Sequence, residues 1–150
     1  MEQAATLTAE LEFIRAEVEL SLDNTVAALA SLEKGMKLSN EPRWHSHLGY
    51  CIAKERGQSR KGIDLCQAAL AHEPDNSIHY LHLGRIHLLA GNKEEALRIF
   101  RQGISKEGNE MIMQKLIELG MRKPLLFPSL ERRHPLNRYL GFILTRLGLR

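Results

Sequence analysis

The amino-acid sequence predicts an all-α protein in which helix–turn–helix units stack into a solenoid. Three observations carry that expectation. First, two stretches overlay on one another: Leu48-Gly49, Gly57, Ala69 and Pro74 in one, and Leu83-Gly84, Gly91, Gly103 and Gly108 in the other. The offset is 35 residues at the leading pair and 34 at the others, the period of a helical-hairpin repeat. Second, apolar residues recur at three- and four-residue intervals, and nothing alternates in the manner of a strand. Third, the 43% apolar and 26% charged composition over 150 residues is that of one ordinary globular domain. Aromatics contribute only 5%, so helix packing must rest on Leu, Ile and Ala.

The elements follow in order. A first helix over about Thr8 to Leu22 places Leu11, Ile14, Val18 and Leu22 at helical spacing. Asp23-Asn24 breaks it and supplies N-cap residues. A second helix carries Val26, Leu29, Leu32, Met36 and Leu38 on its apolar side and ends near Asn40-Glu41-Pro42. The third runs from about Trp44 to Arg56 and stops at Gly57; the fourth spans roughly Ser59 to His72, before Glu73-Pro74-Asp75-Asn76. Asp75 or Asn76 caps a fifth helix bearing Ile78, Leu81, Leu83, Ile86 and Leu89 and closed by Gly91. Asn92-Lys93-Glu94-Glu95 has the form of a capping box, opening a sixth helix with Ala96, Leu97, Ile99, Phe100 and Ile104. The sixth stops near Gly108-Asn109, and a seventh covers Glu110 to Leu119, ending at Gly120. Beyond Met121 the period is lost. Pro124 and Pro128 exclude regular helix between them, and Pro135 opens a last helix with Leu136, Tyr139, Leu140, Ile143 and Leu147 on one face. The expected organisation is therefore a repeat domain over 1–120, a proline-containing linker over 121–135, and a basic amphipathic helix over 136–150 packed on the solenoid.

These residues resemble the tetratricopeptide repeat family. The unit over about 77–110 carries Tyr80, Leu83, Gly84, Gly91, Ala96 and Phe100 in register, with His87 where an aromatic is usual and Gly103 and Gly108 for the late Ala and Pro. The unit over about 43–76 offers Leu48, Gly49, Gly57, Ala69 and Pro74, but has Gly62 and Cys66 in place of an Ala and an aromatic. The unit over about 9–42 is eroded, with Ala28, Leu32, Gly35 and Met36 in register. The resemblance implies a right-handed α-solenoid of about three helix pairs plus C-terminal capping helices. It also implies a working concave face lined by the first helix of each pair. Mapped by repeat position, that face holds Phe13 and Glu17, then Ser46, Tyr50 and Lys54, then Leu81, Arg85 and Leu88. Apolar anchors beside Tyr50, Lys54 and Arg85 suit a peptide or protein segment bearing a carboxylate or phosphate. The Lys/Asn set with which some family members clamp C-terminal carboxylates is not matched, because Phe13 and Glu17 occupy those positions.

Other chemistry finds less support. Seven histidines invite a metal reading, and His79 and His82 stand three apart, yet no metal-binding motif accompanies them. No metal or cofactor is expected. No nucleophile elbow, phosphate loop or dinucleotide fingerprint is present, so an enzyme is not expected. Cys51 and Cys66 fall inside helical patterns and read as reduced core thiols of a cytoplasmic protein. No stretch is long and apolar enough to span a membrane, and Met1-Glu2-Gln3-Ala4 lacks the basic start of a secretory signal.

The net charge of +3 hides an asymmetry. Residues 111–150 hold eight Lys or Arg against Glu118 and Glu131, leaving the preceding residues at −3. The basic end reads first as a cap, second as a surface for an acidic partner or an anionic membrane, and last as a nucleic-acid contact, which is not expected. Leu125-Leu126-Phe127 could lie inside the concave groove as an internal ligand. The expected function is a non-catalytic adaptor or assembly factor holding a protein segment in the groove. The alternative is self-association or anionic membrane-surface attachment through the basic C-terminal helix, with the groove internally occupied.

Overall fold

The computed structural model describes residues 2–120. The expected linker over 121–135 and basic helix over 136–150 lie outside the described residues, and so does the proposed insertion of Leu125-Leu126-Phe127. Residues 1–116 form one compact unit. Seven α-helices make up the described residues: α1 (Glu2–Ser21), α2 (Thr25–Leu38), α3 (His45–Arg56), α4 (Ser59–His72), α5 (Ser77–Leu89), α6 (Lys93–Lys106) and α7 (Glu110–Glu118), with a 3-10 turn at Pro42–Trp44 leading into α3. The helices pack as hairpins, α1 on α2, α3 on α4 and α5 on α6, and neighbouring hairpins join through α2 on α3 and through α3 and α4 on α5. The all-α solenoid expected from the repeat is the observed fold.

Polar residues at the breaks set the helix starts. The Asn24 side chain accepts from the Ala27 amide after Asp23 takes a left-handed φ of 58°. Asn76 accepts from Ile78 N–H at 3.1 Å, and Asn109 accepts from Ile112 N–H at 3.1 Å while donating to Ser77 Oγ at 3.0 Å. Asn109 therefore caps α7 and ties it to the start of α5. The capping box expected at Asn92 does not form, since Asn92 makes no side-chain cap bond. Glu95 instead pairs with Arg98 one turn along.

Glycine decides how closely the hairpins close. In the first, a Cβ at Gly35 would stand 2.8 Å from the Phe13 ring, so Phe13 of α1 lies directly across the α2 backbone. In the third the roles are exchanged: the Phe100 ring of α6 lies against Gly84 of α5, where any Cβ would overlap it. The middle hairpin has no phenyl ring for this purpose. There Gly49 and Gly62 face each other, and a Cβ on either would come within 2.6 Å of the other's carbonyl oxygen. The departures at Gly62 and Cys66 are thus compensated within the hairpin. The backbones approach to contact, and Cys66 fills the remaining space with no exposed surface. Both cysteines are buried free thiols, and burial pushes the Cys51 thiol up to about 12.

Two apolar faces differ from expectation. Leu11, Ile14, Val18 and Leu22 are 53–71% exposed, whereas Ala9, Phe13 and Ala16 of the same helix are buried. On α2, Leu29 and Leu32 are inside but Val26 and Leu38 are exposed. The reason is shape. Small Ala9 and Ala16 flank Phe13 and let α1 close on Ala28, Leu32 and Gly35, which the branched Leu/Ile/Val stripe would hold apart.

Gly49→Ala should therefore destabilise the protein by about 1–3 kcal/mol, the usual cost of overpacking a close contact. Gly108→Ala, where a Cβ meets nothing within 4 Å, should leave the urea midpoint within experimental scatter of the parent. Equal midpoints for the two variants would contradict the backbone contact.

Candidate functional site

The first helices of successive hairpins line one groove. Glu17 and Leu20 come from α1, His47 from α3, and Ile78, Leu81, His82 and Arg85 from α5, with Met111 of α7 closing the far side. Its cavity measures about 170 Å³ and is open on one side. Leu81 forms part of the floor and has no exposed surface. Glu17 and Arg85 place opposite charges at the rim.

Beneath this floor runs a seam of rings crossing all three hairpins. Phe13 stacks on Trp44 at 4.5 Å, Trp44 meets His47 at 5.2 Å, and His47 meets His82 at 4.6 Å between ring centroids. Tyr50 lies nearly parallel to His82 at 5.3 Å, and the Arg85 guanidinium sits over the Tyr50 ring at 5.3 Å. That cation–π contact holds Arg85 beside the groove without an ion pair among the described residues.

The eight residues expected on the concave face separate into three groups. Glu17, Leu81 and Arg85 line the groove. Tyr50 supports it from below as the partner of His82 and Arg85. The remaining four do other work. Phe13 is wholly buried against Gly35 and Trp44, so it builds the first hairpin and is not a ligand-facing anchor. Ser46 is also wholly buried, its hydroxyl 2.7 Å from His79 Nδ1. Lys54 donates to Asp23 at 2.9 Å, which ties α3 to the α1–α2 turn and raises the lysine's pKa. Leu88 is half-buried toward the end of α5 and does not line the cavity.

Leu20, Ile78, Met111 and the two groove histidines were missed by the sequence reading. One signal was available for the histidines: His47 and His82 are 35 residues apart, the offset of Leu48 and Leu83, so they occupy equivalent repeat positions. His82 is 2% exposed and His47 7%, and neither His82 nitrogen nor His47 Nδ1 has a hydrogen-bond partner among the described residues. Burial, reinforced by the neighbouring His79, lowers the His47 pKa to about 4, and burial pushes His82 well below the ordinary imidazole range. Both are neutral at pH 7.

His79 belongs to a different set. Its Nδ1 meets Ser46 Oγ, and its Nε2 lies 3.0 Å from Glu73 Oε2. This chain of side chains has the composition of a nucleophile–base–acid triad, but Ser46 has no surface on which to meet a substrate. Its work is to lock α3 against the turn that starts α5. The two histidines that stand three apart in sequence thus point to different partners.

A solenoid of paired helices with its groove on the first helices defines a helical-repeat protein. Residues 53–117, a little under half of the chain, match the tetratricopeptide repeat family model. The match begins near the end of α3, takes in α4 to α6 and most of α7, and leaves the eroded first unit outside. Among solved structures, the crystal structure of MamA protein is similar at 20% identity and a TM-score of 0.49, over 79% of this chain and 62% of that one. The chain therefore spans less than two thirds of that protein. No curated protein matches.

The buried imidazoles set a pH dependence. A group whose folded pKa lies below its unfolded value of 6.5 favours folding fully above pH 6.5, and that contribution is lost as pH falls toward about 4. Each such proton steepens the loss by about 1.4 kcal/mol per pH unit. Urea midpoints should fall between pH 6.5 and 5, and His47→Phe should flatten the decline by about one proton. An unchanged slope would show that His47 is not buried neutral.

Proposed function

We propose that this chain is a non-catalytic adaptor or assembly factor that holds a peptide or protein segment of its partner in the groove between α1, α3, α5 and α7. Tetratricopeptide repeats generally mediate protein–protein interaction. The observation carrying the finer reading is the groove itself, with its aliphatic floor and walls and its two rim charges, Glu17 and Arg85, supplied by four separate helices. Apolar burial supplies affinity in such a site, while the fixed guanidinium sets orientation. A cytoplasmic setting goes with this reading. None of the described helices is long and apolar enough to cross a membrane.

Reversing the rim charge tests it. Arg85→Glu should cut recovery of the main partners from native cell extract by about tenfold, the scale of a truncated interfacial charge pair. Arg101→Glu, on the exposed side of the second helix in its hairpin, should leave recovery unchanged. Equal partner profiles for the two variants would remove the groove from the function.

Self-association is favoured by a separate observation, the exposed stripe of Leu7, Leu11, Ile14, Val18 and Leu22 along α1. If copies meet there, sedimentation velocity of the full chain will show a dimer that Leu11→Glu/Val18→Glu converts to monomer. A parent chain that is already monomeric at 100 μM, a concentration of about 10⁻⁴ M chosen to reveal weak association, would exclude it. The membrane-surface alternative rests on 136–150, outside the described residues.

A further inference from the structure

We infer that the outer face of α1 pairs in parallel with α1 of a second copy of this chain, an assignment that rests on the self-association reading above and gives it a register and a direction. Ala4, Leu7, Leu11, Ile14, Val18 and Ser21 follow one another at steps of three, four, three, four and three. That is the heptad rule of a coiled-coil seam, with Ala4, Leu11 and Val18 at a and Leu7, Ile14 and Ser21 at d. All six are exposed, the four large ones by 53–64%. Ala9, Phe13 and Ala16, which close the first hairpin, are buried and fall at c and f on the opposite side of the helix. α1 therefore carries two apolar seams back to back. One builds the hairpin, and the other is open among the described residues.

The flanking residues choose the occupant and its direction. Thr8, Arg15 and Leu22 stand at e, and Gln3, Glu10 and Glu17 at g. All but Leu22 are polar, so the apolar strip is one helix wide, the width of a two-stranded seam. In a parallel pair each g residue lies beside the following e residue of the other strand. Glu10 then meets Arg15 of the second copy, twice by symmetry. An antiparallel pair would instead set Glu10 against Glu17 of the second copy, placing like charges together. Arg15 is exposed and has no ion pair among the described residues. Glu10 meets Arg43 of its own chain through Oε1, and Oε2 remains to accept from Arg15 of the second copy. The hairpin partner α2 packs on the far side of α1, so it does not stand between two such seams. A seam of this length is a small interface and gives a reversible dimer.

The test is cysteine cross-linking of the full chain, with Ser21→Cys and Ala4→Cys made separately, oxidised with copper phenanthroline and read as covalent dimer on a non-reducing gel. In a parallel pair each new thiol faces its own counterpart, whereas an antiparallel pair sets position 21 against position 4. Cys51 and Cys66 are buried and give no background. Each variant should cross-link to itself about tenfold faster than Arg101→Cys on the exposed side of α6, because paired thiols react at a raised effective concentration. The two variants report from opposite ends of α1, so a folding failure in one leaves the other to decide. Cross-links that form only when the two variants are mixed would overturn the parallel direction and leave self-association standing. In sedimentation, Arg15→Glu should weaken the dimer about tenfold, since two attractive pairs become repulsive. An unchanged dissociation constant would overturn the register, and a trimer or tetramer would overturn the two-stranded seam. A monomeric parent chain would instead remove self-association itself and give this face of α1 to another occupant.

Discussion

The structure depends on how closely the two helices of each hairpin can approach. Dispersion and burial reward contact only at close range, and a methyl group between backbones removes much of it. Each hairpin solves this with glycine, but in a different arrangement. Phe13 lies on Gly35, Gly49 faces Gly62, and Phe100 lies on Gly84. The ring comes from the first helix in one case, from neither in the next, and from the second helix in the last. What the hairpins share is the closeness of packing, and the residue types that achieve it vary.

That variation shapes the groove. Because Phe13 is consumed by the first hairpin and its ring continues into Trp44, the ring seam reaches His47 and His82 directly under the groove floor. Tyr50 then braces His82 and positions Arg85. Core and groove lining are therefore one continuous stack, and the side chains that border the groove also hold the hairpins in register. Buried imidazole nitrogens without partners cost stability in the free protein.

Much of the molecule was legible in one dimension. Glycine, asparagine and proline mark the helix ends because their local backbone and capping preferences act over a few residues. Gly57 at φ 68° and the Asn24 and Asn76 caps show those preferences in place. The cap at Asn92 did not follow, since Arg98 competes for Glu95. Groove membership was legible at Glu17, Leu81 and Arg85 through repeat position. It failed at Phe13, Ser46 and Lys54, where a neighbouring hairpin or turn claims the side chain: Trp44, His79 and Asp23 are all distant in sequence.

The sequence by itself determined the helices, their pairing and the solenoid class, because periodicity, caps and a 34- to 35-residue repeat are properties of local order. Only the tertiary structure decided which apolar stripe of α1 faces inward and which is left to water. It also decided that two histidines 35 residues apart meet at 4.6 Å under a groove. Both outcomes turn on the distance between helix backbones. That distance is fixed by glycine contacts between helices, which no periodicity within a single helix records.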